Sequence, residues 1–232
     1  MRAFFVLAVL WSHLASSQIP DQGRFDYVLY DNGDRPVGTY FFTINKEGSV
    51  WRITSEMHVD TRFLLFPIRL RDQNTFTHDG RFFQSFSVKY FKDVPLQSTV
   101  ELAVSGVRND NSWTIQTKSG GNIGSQQFSQ KSFEEVRNLV SRLVRPEAAL
   151  RPGQVRRTLS LDPLSLEISE VESRGIAVDS VEFQGRKREL LVMEIKSSDG
   201  DVKVKKFSNG LIYRSQTRDG YALLKSAQTP SF

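Results

Sequence analysis

Apolar and polar side chains alternate along the first third of the chain. Phe25, Tyr27 and Leu29 alternate with their neighbours at a period of two, and an Asp31-Asn32-Gly33-Asp34 turn follows. Beyond the next turn, Ile53, Met57 and Val59 fall on one face of a strand, with polar residues between them. A period of two predicts β-strands, and a single apolar face predicts an antiparallel sheet with one side buried. Strands are therefore expected from about 24 to 117.

The middle of the chain departs from this alternation. Residues 119–130 are polar and glycine-rich, which predicts a loop. Ser132 and Glu135 then have the spacing of a capping box at the start of a helix. Apolar residues follow at helical spacing and end before Pro146: Phe133, Val136, Leu139, Val140 and Leu143. We expect one amphipathic helix over about 133–143.

The period of two returns for the last part of the chain, over about 155–226, where two of the expected strands are Leu164–Val171 and Ile176–Phe183. Turns such as Gln184-Gly185 and Asp219-Gly220 separate the later strands at the spacing typical of a sandwich or barrel. The predicted fold class is mostly β. We expect a curved antiparallel sheet or incomplete β-barrel with one amphipathic helix packed on it, forming a single β-rich domain over 18–232.

Residues 1–17 have the layout of a secretory signal peptide. Arg2 precedes an apolar run to about Leu14, and the small residues Ala15, Ser16 and Ser17 follow. A membrane anchor is the alternative, but the run is shorter than the roughly 20 apolar residues that span a bilayer. The chain has no cysteine and no Asn-x-Ser/Thr acceptor. We expect export, to a bacterial periplasm in the first place or as a secreted protein otherwise.

Charge gives little support for a nucleic-acid partner. The formal net charge is +5 and is spread along the chain, whereas nucleic-acid binders concentrate positive charge on one face. Two basic clusters occur, Arg186-Lys187-Arg188 and Lys203, Lys205 and Lys206. Solvation and protection of a sheet edge are one interpretation of them. A site for anionic envelope components is the other.

Three sets of residues resemble a known group of proteins. They are Tyr27-x-x-Tyr-x-x-Gly with Pro36-Val-Gly38, Leu150-Arg-Pro-Gly153 after the predicted helix, and Phe207-Ser-Asn-Gly210-Leu-Ile-x-Arg214. This arrangement resembles exported bacterial β-rich proteins of a domain-of-unknown-function family. Their architecture is similar to that of periplasmic lipoprotein-carrier half-barrels, in which a helix closes a curved sheet. The resemblance implies an apolar cavity, although a fold does not fix a function.

The sequence offers little material for catalysis. Glu56, His58 and Asp60 share the polar face of one predicted strand, where they could be metal ligands, a proton relay or ordinary solvated residues. His78 lies in a predicted turn. Two histidines beyond the predicted signal peptide and no cysteine are little for a zinc site, and no nucleophile elbow or phosphate loop occurs. We predict a protein that is not an enzyme and has neither cofactor nor metal.

Aromatic residues form the remaining candidate site. Apolar groups occur on both faces of two neighbouring predicted strands, and we expect them to line a ligand site: Phe63, Leu65, Phe66, Phe82, Phe83 and Phe86. Three functions remain open. The first is a binding protein that holds a lipid or other apolar or amphiphilic ligand between sheet and helix. The second is an envelope assembly or scaffold factor with a protein partner, and the third is a cryptic hydrolase. Alternatively, the helix simply covers the aromatic surface.

Overall fold

The computed structural model describes residues 22–63, 66–79, 83–95, 97–109, 112–120, 122–129, 150–161, 168–197, 200–208 and 211–228. Within these residues the chain forms fourteen strands: β1 (Gln22–Asp31), β2 (Pro36–Glu47), β3 (Val50–Phe63), β4 (Phe66–His78), β5 (Phe83–Asp93), β6 (Val100–Asn109), β7 (Ser112–Ser119), β8 (Asn122–Ser129), β9 (Val155–Leu161), β10 (Ile168–Phe183), β11 (Arg186–Ser197), β12 (Gly200–Phe207), β13 (Ile212–Thr217) and β14 (Gly220–Gln228).

All of these strands belong to one antiparallel sheet, in the order β8-β7-β6-β5-β4-β3-β2-β1-β14-β13-β12-β11-β10-β9. From β1, in the middle of the sheet, the chain runs outward strand by strand to the β8 edge. It continues from the opposite edge, at β9, and returns strand by strand to β14. Strands β1 and β14 then join the two halves, with Phe25 opposite Ala227 and Tyr27 opposite Leu224.

The sheet is curved and open. The Gln184 side chain, at the tip of the β10–β11 hairpin, donates a hydrogen bond to the Ala227 carbonyl of β14 at 3.1 Å. Strands β10 and β14 are four positions apart, which in a flat sheet would be roughly 19 Å at the usual strand spacing. The β8 and β9 edges do not pair with each other in the described part of the chain. The predicted mostly β, curved antiparallel sheet is confirmed.

Two of the predicted boundaries are wrong. The expected loop over 119–130 contains β8, an edge strand whose described side chains, at 122–127, are all exposed. Most of its described side chains are polar, and neither face of the strand is covered at 122–127, so no alternation of apolar and polar residues predicts it. The two strands expected between Leu164 and Phe183 are instead a single strand, β10, whose pairing shifts register between Gly175 and Ala177. Such a bulge displaces the apolar phase without ending the strand.

The predicted helix over 133–143 lies outside the described residues and stays a prediction. The same holds for the predicted signal peptide over 1–17. The described residues contain no helix, and hence none long and apolar enough to cross a membrane.

Buried side chains form two separate clusters. The larger is built mainly from β1–β4 and β10–β14 and includes Phe25, Tyr27, Tyr40 and Phe42. The smaller lies on β5–β7 and consists of Phe86, Val88, Val104 and Ile115, with Phe76, Leu102 and Trp113 packed against it. Both clusters reach the same side of β4, which we call the buried face, because the register places Ile53 opposite Phe76 and Phe76 opposite Phe86. Polar side chains on this face lie between the two clusters.

Candidate functional site

The predicted aromatic lining is spread along the sheet. Phe63 and Phe66 are opposite each other at one end of the β3–β4 hairpin, whereas Phe83 is opposite His78 at the far end of β4. Twelve residues separate Phe66 from His78, about 40 Å at the rise of a strand. The side chain of Phe86 is buried in the smaller cluster, and Leu65 and Phe82 lie outside the described residues. The role of these six residues as a ligand lining stays a prediction.

Glu56, His58 and Asp60 lie on the face of β3 opposite the buried face. The His58 Nε2 and Glu56 Oε2 atoms are 3.5 Å apart. Asp60 instead pairs with Arg71 on β4, at 2.7 Å between Oδ2 and Nη2. These side chains are partly or mostly exposed, and the described residues contain no group of three or more His, Asp or Glu that could hold a metal ion. The arrangement has the geometry of surface ion pairs.

Two lysines of the second basic cluster, Lys205 and Lys206, lie in different environments. Lys205 forms an ion pair with Asp179 at 2.5 Å, while Lys206 is buried. Strand β12, which carries both lysines, lies between β11 and β13 in the interior of the sheet. The interpretation that these lysines protect an edge is therefore wrong. Binding of anionic envelope components stays a prediction.

Polar side chains on the buried face form a group that we call the polar seam: Ser55 on β3, Asp72 and Asn74 on β4, and Tyr90 on β5. The strand register places Asp72 opposite Tyr90, and Asn74 opposite Ser55. The Asn74 Nδ2 atom donates to the Ser55 Oγ atom at 3.2 Å, and Ser55 is only 1% exposed. This seam is what divides the two apolar clusters.

Asp72 is the most perturbed group of the seam. Its Oδ1 atom is buried and has no hydrogen-bond partner in the described part of the protein. Burial raises the pKa of Asp72 to about 6, and a hydrogen bond with Asn74 opposes part of this rise. Burial, followed by the negative charge of Asp72, also raises the pKa of Tyr90. A carboxyl group whose pKa is clearly raised by burial makes Asp72 a candidate functional residue.

A row of large side chains leads from the larger cluster to Asp72. The register places Tyr27, Tyr40, Met57, Asp72 and Tyr90 opposite one another on five successive strands. The rings of Tyr27 and Tyr40 lie 5.7 Å apart, and the Tyr27 hydroxyl donates to the Ile212 carbonyl at 2.8 Å. We call these five residues the aromatic row. Tyr27, Tyr40 and Met57 are 2–3% exposed and belong to the packed core, so the row reaches solvent only at Asp72 and Tyr90, which are partly exposed.

The polar seam was not predicted, although the sequence carries a signal for it. Ile68, Leu70, Asp72, Asn74 and Phe76 have the same parity in one strand. The apolar positions of this strand stop at Leu70 and resume only at Phe76, so alternation between near neighbours does not extend the strand to Asp72 and Asn74. Extending the period of two to Phe76 would have placed a carboxyl and an amide on an apolar face.

Comparison with known proteins supports the fold. No protein-family model matches the chain, and no curated protein matches it in sequence. Among solved structures, it is similar to the crystal structure of a β-barrel-like protein of domain of unknown function DUF1849 from Brucella abortus. The TM-score is 0.58 at 12% sequence identity, and the match covers 93% of this chain and 100% of the other. The chain is therefore similar in fold to a bacterial β-barrel-like domain of unknown function, which confirms the resemblance predicted from its motifs.

Proposed function

We propose that this protein is a non-enzymatic binding protein of the bacterial envelope. It holds an apolar or amphiphilic molecule against the buried face of its curved sheet, beneath the helix predicted over 133–143. The observation that carries the proposal is the buried, unpartnered Asp72 oxygen at the end of the aromatic row. Its location in the periplasm follows from the predicted signal peptide.

The unpartnered oxygen of Asp72 has an energetic cost that a ligand would relieve. A buried polar atom without a partner costs about 1–3 kcal/mol, and more when it is charged. Native proteins contain few such atoms, and each calls for an explanation. A ligand that carries a hydrogen-bond donor would satisfy Asp72, while the partly exposed Tyr90 beside it would contact the ligand's apolar part. Ligand pockets typically combine an apolar lining with a few polar groups in this way.

The hydrolase hypothesis fits less well. It needs Glu56, His58 and Asp60 in a cleft together with a buried carboxylate. The register places Met57 opposite Asp72 and His58 opposite Arg71, and successive residues of a strand point to opposite faces. Asp72 and His58 are therefore on opposite sides of the sheet. We propose binding as the function for this reason.

Native mass spectrometry of protein purified from the periplasm tests the proposal. We expect a co-purifying lipid or other amphiphile, seen as added mass that is lost on activation. Asp72→Ala removes the unpartnered carboxyl group and should reduce the added mass, whereas Phe41→Trp changes the opposite face and should keep it. Circular dichroism checks that both variants retain their β structure. A protein with no added mass that also takes up no lipid from mixed vesicles would contradict the proposal.

A second function is favoured by the β8 edge. Residues 122–127 are all exposed, with Ile123 at 75%, and β8 carries no charge or proline. At the other edge, Arg157 of β9 pairs with Glu170 and Glu172. Natural sheets usually protect their edges with charge or proline, so an assembly factor could add a partner's strand to β8. A photocrosslinker at Gln126 should then capture a partner that the same group at Arg156 does not.

A further inference from the structure

We propose that two copies of this chain associate through β8, with the two β8 strands paired antiparallel so that the sheets become continuous. The inference rests on the second proposed function, the addition of a strand to β8, and names the strand that is added. In the described part of the chain β8 pairs with β7 and with no other strand. Every second residue of an edge strand directs its N–H and C=O groups away from the sheet, where another strand can bind them.

The two edges of the sheet differ in the charge that they carry. Strand β8 has the sequence NIGSQQFS, with no charged residue and no proline, and its described side chains at 122–127 are exposed. Strand β9 carries Arg156 and Arg157 side by side. Pairing β9 with a second β9 would bring four arginines together, and like charges on paired strands are destabilising. The distribution of charge therefore favours β8 as the edge at which a second copy binds.

The side chains of β8 are also suited to an identical strand. Asn122, Gln126 and Gln127 carry amide groups, and Ser125 carries a hydroxyl group. Amides and hydroxyls both donate and accept hydrogen bonds, so each can bind its own equivalent in a second copy. A charged side chain would instead repel its equivalent. Two-fold symmetry requires this kind of self-complementary surface, because both subunits use the same residues.

Symmetry and strand geometry restrict how the two β8 strands can align. A two-fold axis perpendicular to the sheet makes the strands antiparallel and keeps each face of the sheet on the same side in both copies. Because side chains alternate between the faces, residues opposite each other must then have numbers that are both even or both odd. The alignments that pair most of β8 are centred on Ser125 or on Gln126. Gln126 is diagonally opposite its own equivalent in the first alignment and directly opposite it in the second.

The strength of the association follows from the length of β8. Pairing of two eight-residue strands supplies about eight backbone hydrogen bonds but no second layer of packed side chains. Stable protein interfaces usually bury roughly 1,200 Å² or more. We therefore expect a reversible dimer with a dissociation constant on the order of 10 µM.

Sedimentation velocity of the purified protein, from about 1 to 200 µM, tests the inference. The unmodified protein should change from monomer to dimer over this range. Gln126→Lys and Gln126→Glu each place two like charges close together, so each should raise the dissociation constant roughly fivefold or more. An equimolar mixture of the two variants should restore the dimer, because a lysine then faces a glutamate. Gln73→Lys is the matched control, since Gln73 is exposed on β4 in the interior of the sheet, and it should dimerise like the unmodified protein.

Three results would overturn association through β8. They are an unmodified protein that stays monomeric at about 200 µM, a Gln126→Lys variant that dimerises as well as Gln73→Lys, and a mixture of the two Gln126 variants that dimerises no better than either alone. Circular dichroism confirms that each variant keeps its β structure.

The photocrosslinker at Gln126 separates this inference from the function on which it rests. A product of two copies of this chain supports both. A product with a different protein alone would overturn self-association and leave the assembly function intact, whereas no product at all would overturn both.

Discussion

Replacing Asp72 by asparagine should stabilise the folded protein at neutral pH. Burial raises the pKa of Asp72 from its ordinary value of 3.8 to about 6. Because each pH unit of difference corresponds to 1.36 kcal/mol, the ionised carboxylate destabilises the fold by up to about 3 kcal/mol. Asparagine has nearly the same shape and no charge, so it should recover most of this energy.

The same shift predicts how stability changes with pH. The folded state holds the Asp72 proton more tightly than the unfolded state does, so protonation favours folding. The contribution is fully present below pH 3.8 and is lost as the pH rises through about 6. Roughly half of the 3 kcal/mol should be lost between pH 5 and 7. In Asp72→Asn this part of the pH dependence should disappear.

Urea denaturation at half-unit steps from pH 5 to 7.5 measures both effects. The difference in unfolding free energy between Asp72→Asn and the unmodified protein should grow with pH and level off above about 7. Asp60→Asn, on the exposed face, should show no such trend. A destabilised Asp72→Asn at pH 7, or a difference that does not vary with pH, would refute the argument that Asp72 is a desolvated carboxylate without a cation.

Three further substitutions test the packing around the site. A Cβ atom at Gly106 would lie 2.2 Å from Cε1 of Phe86, so Gly106→Ala should lower stability by about 1–3 kcal/mol in thermal unfolding. Gly124→Ala is its control, since the nearest atom there is 4.0 Å away, and an equal loss in both would contradict the close packing. Tyr27→Phe leaves the Ile212 carbonyl without its donor and should cost about 1–2 kcal/mol in urea denaturation. Its control, Tyr221→Phe, removes an exposed bond to Asp34, and a cost as large as that of Tyr27→Phe would show that burial does not set the scale. His58→Ala should change unfolding free energy by less than about 0.5 kcal/mol, because its contact with Glu56 is long and partly exposed. A metal lost only in that variant, detected by elemental analysis, would contradict this.

Strands with one buried side could be predicted from the sequence alone. The alternation of Phe25, Tyr27 and Leu29 is reproduced as buried positions of β1, and Ile53, Met57 and Val59 are buried on β3. Strand β8 could not be found in this way, because an edge strand exposed on both sides has no apolar phase. Alternation of apolar and polar residues reflects the burial of one face of a strand, and the described side chains of β8 are all exposed.

The polar seam was hidden for a different reason. Whether Asp72 is buried depends on its neighbours Met57 and Tyr90, which belong to other strands. The sequence of one strand does not show which residues of the neighbouring strands lie beside Asp72, because the strand register determines that. The curvature is set in the same way by distant pairs, such as Gln184 with Ala227. These pairs are properties of the assembled sheet.

The position of β1 and β14 at the centre of the sheet has a consequence for folding kinetics. The bond between Ser226 Oγ and Asp26 Oδ2 joins residues 200 positions apart. Closing so long a loop carries a large entropic cost, and folds dominated by distant contacts form slowly. Each half can build its hairpins by local pairing, but the halves can only join once β14 is available. Until then, β1 is an unpaired edge carrying Phe25 and Tyr27, so the growing chain is most vulnerable to aggregation at what becomes the middle of the finished protein.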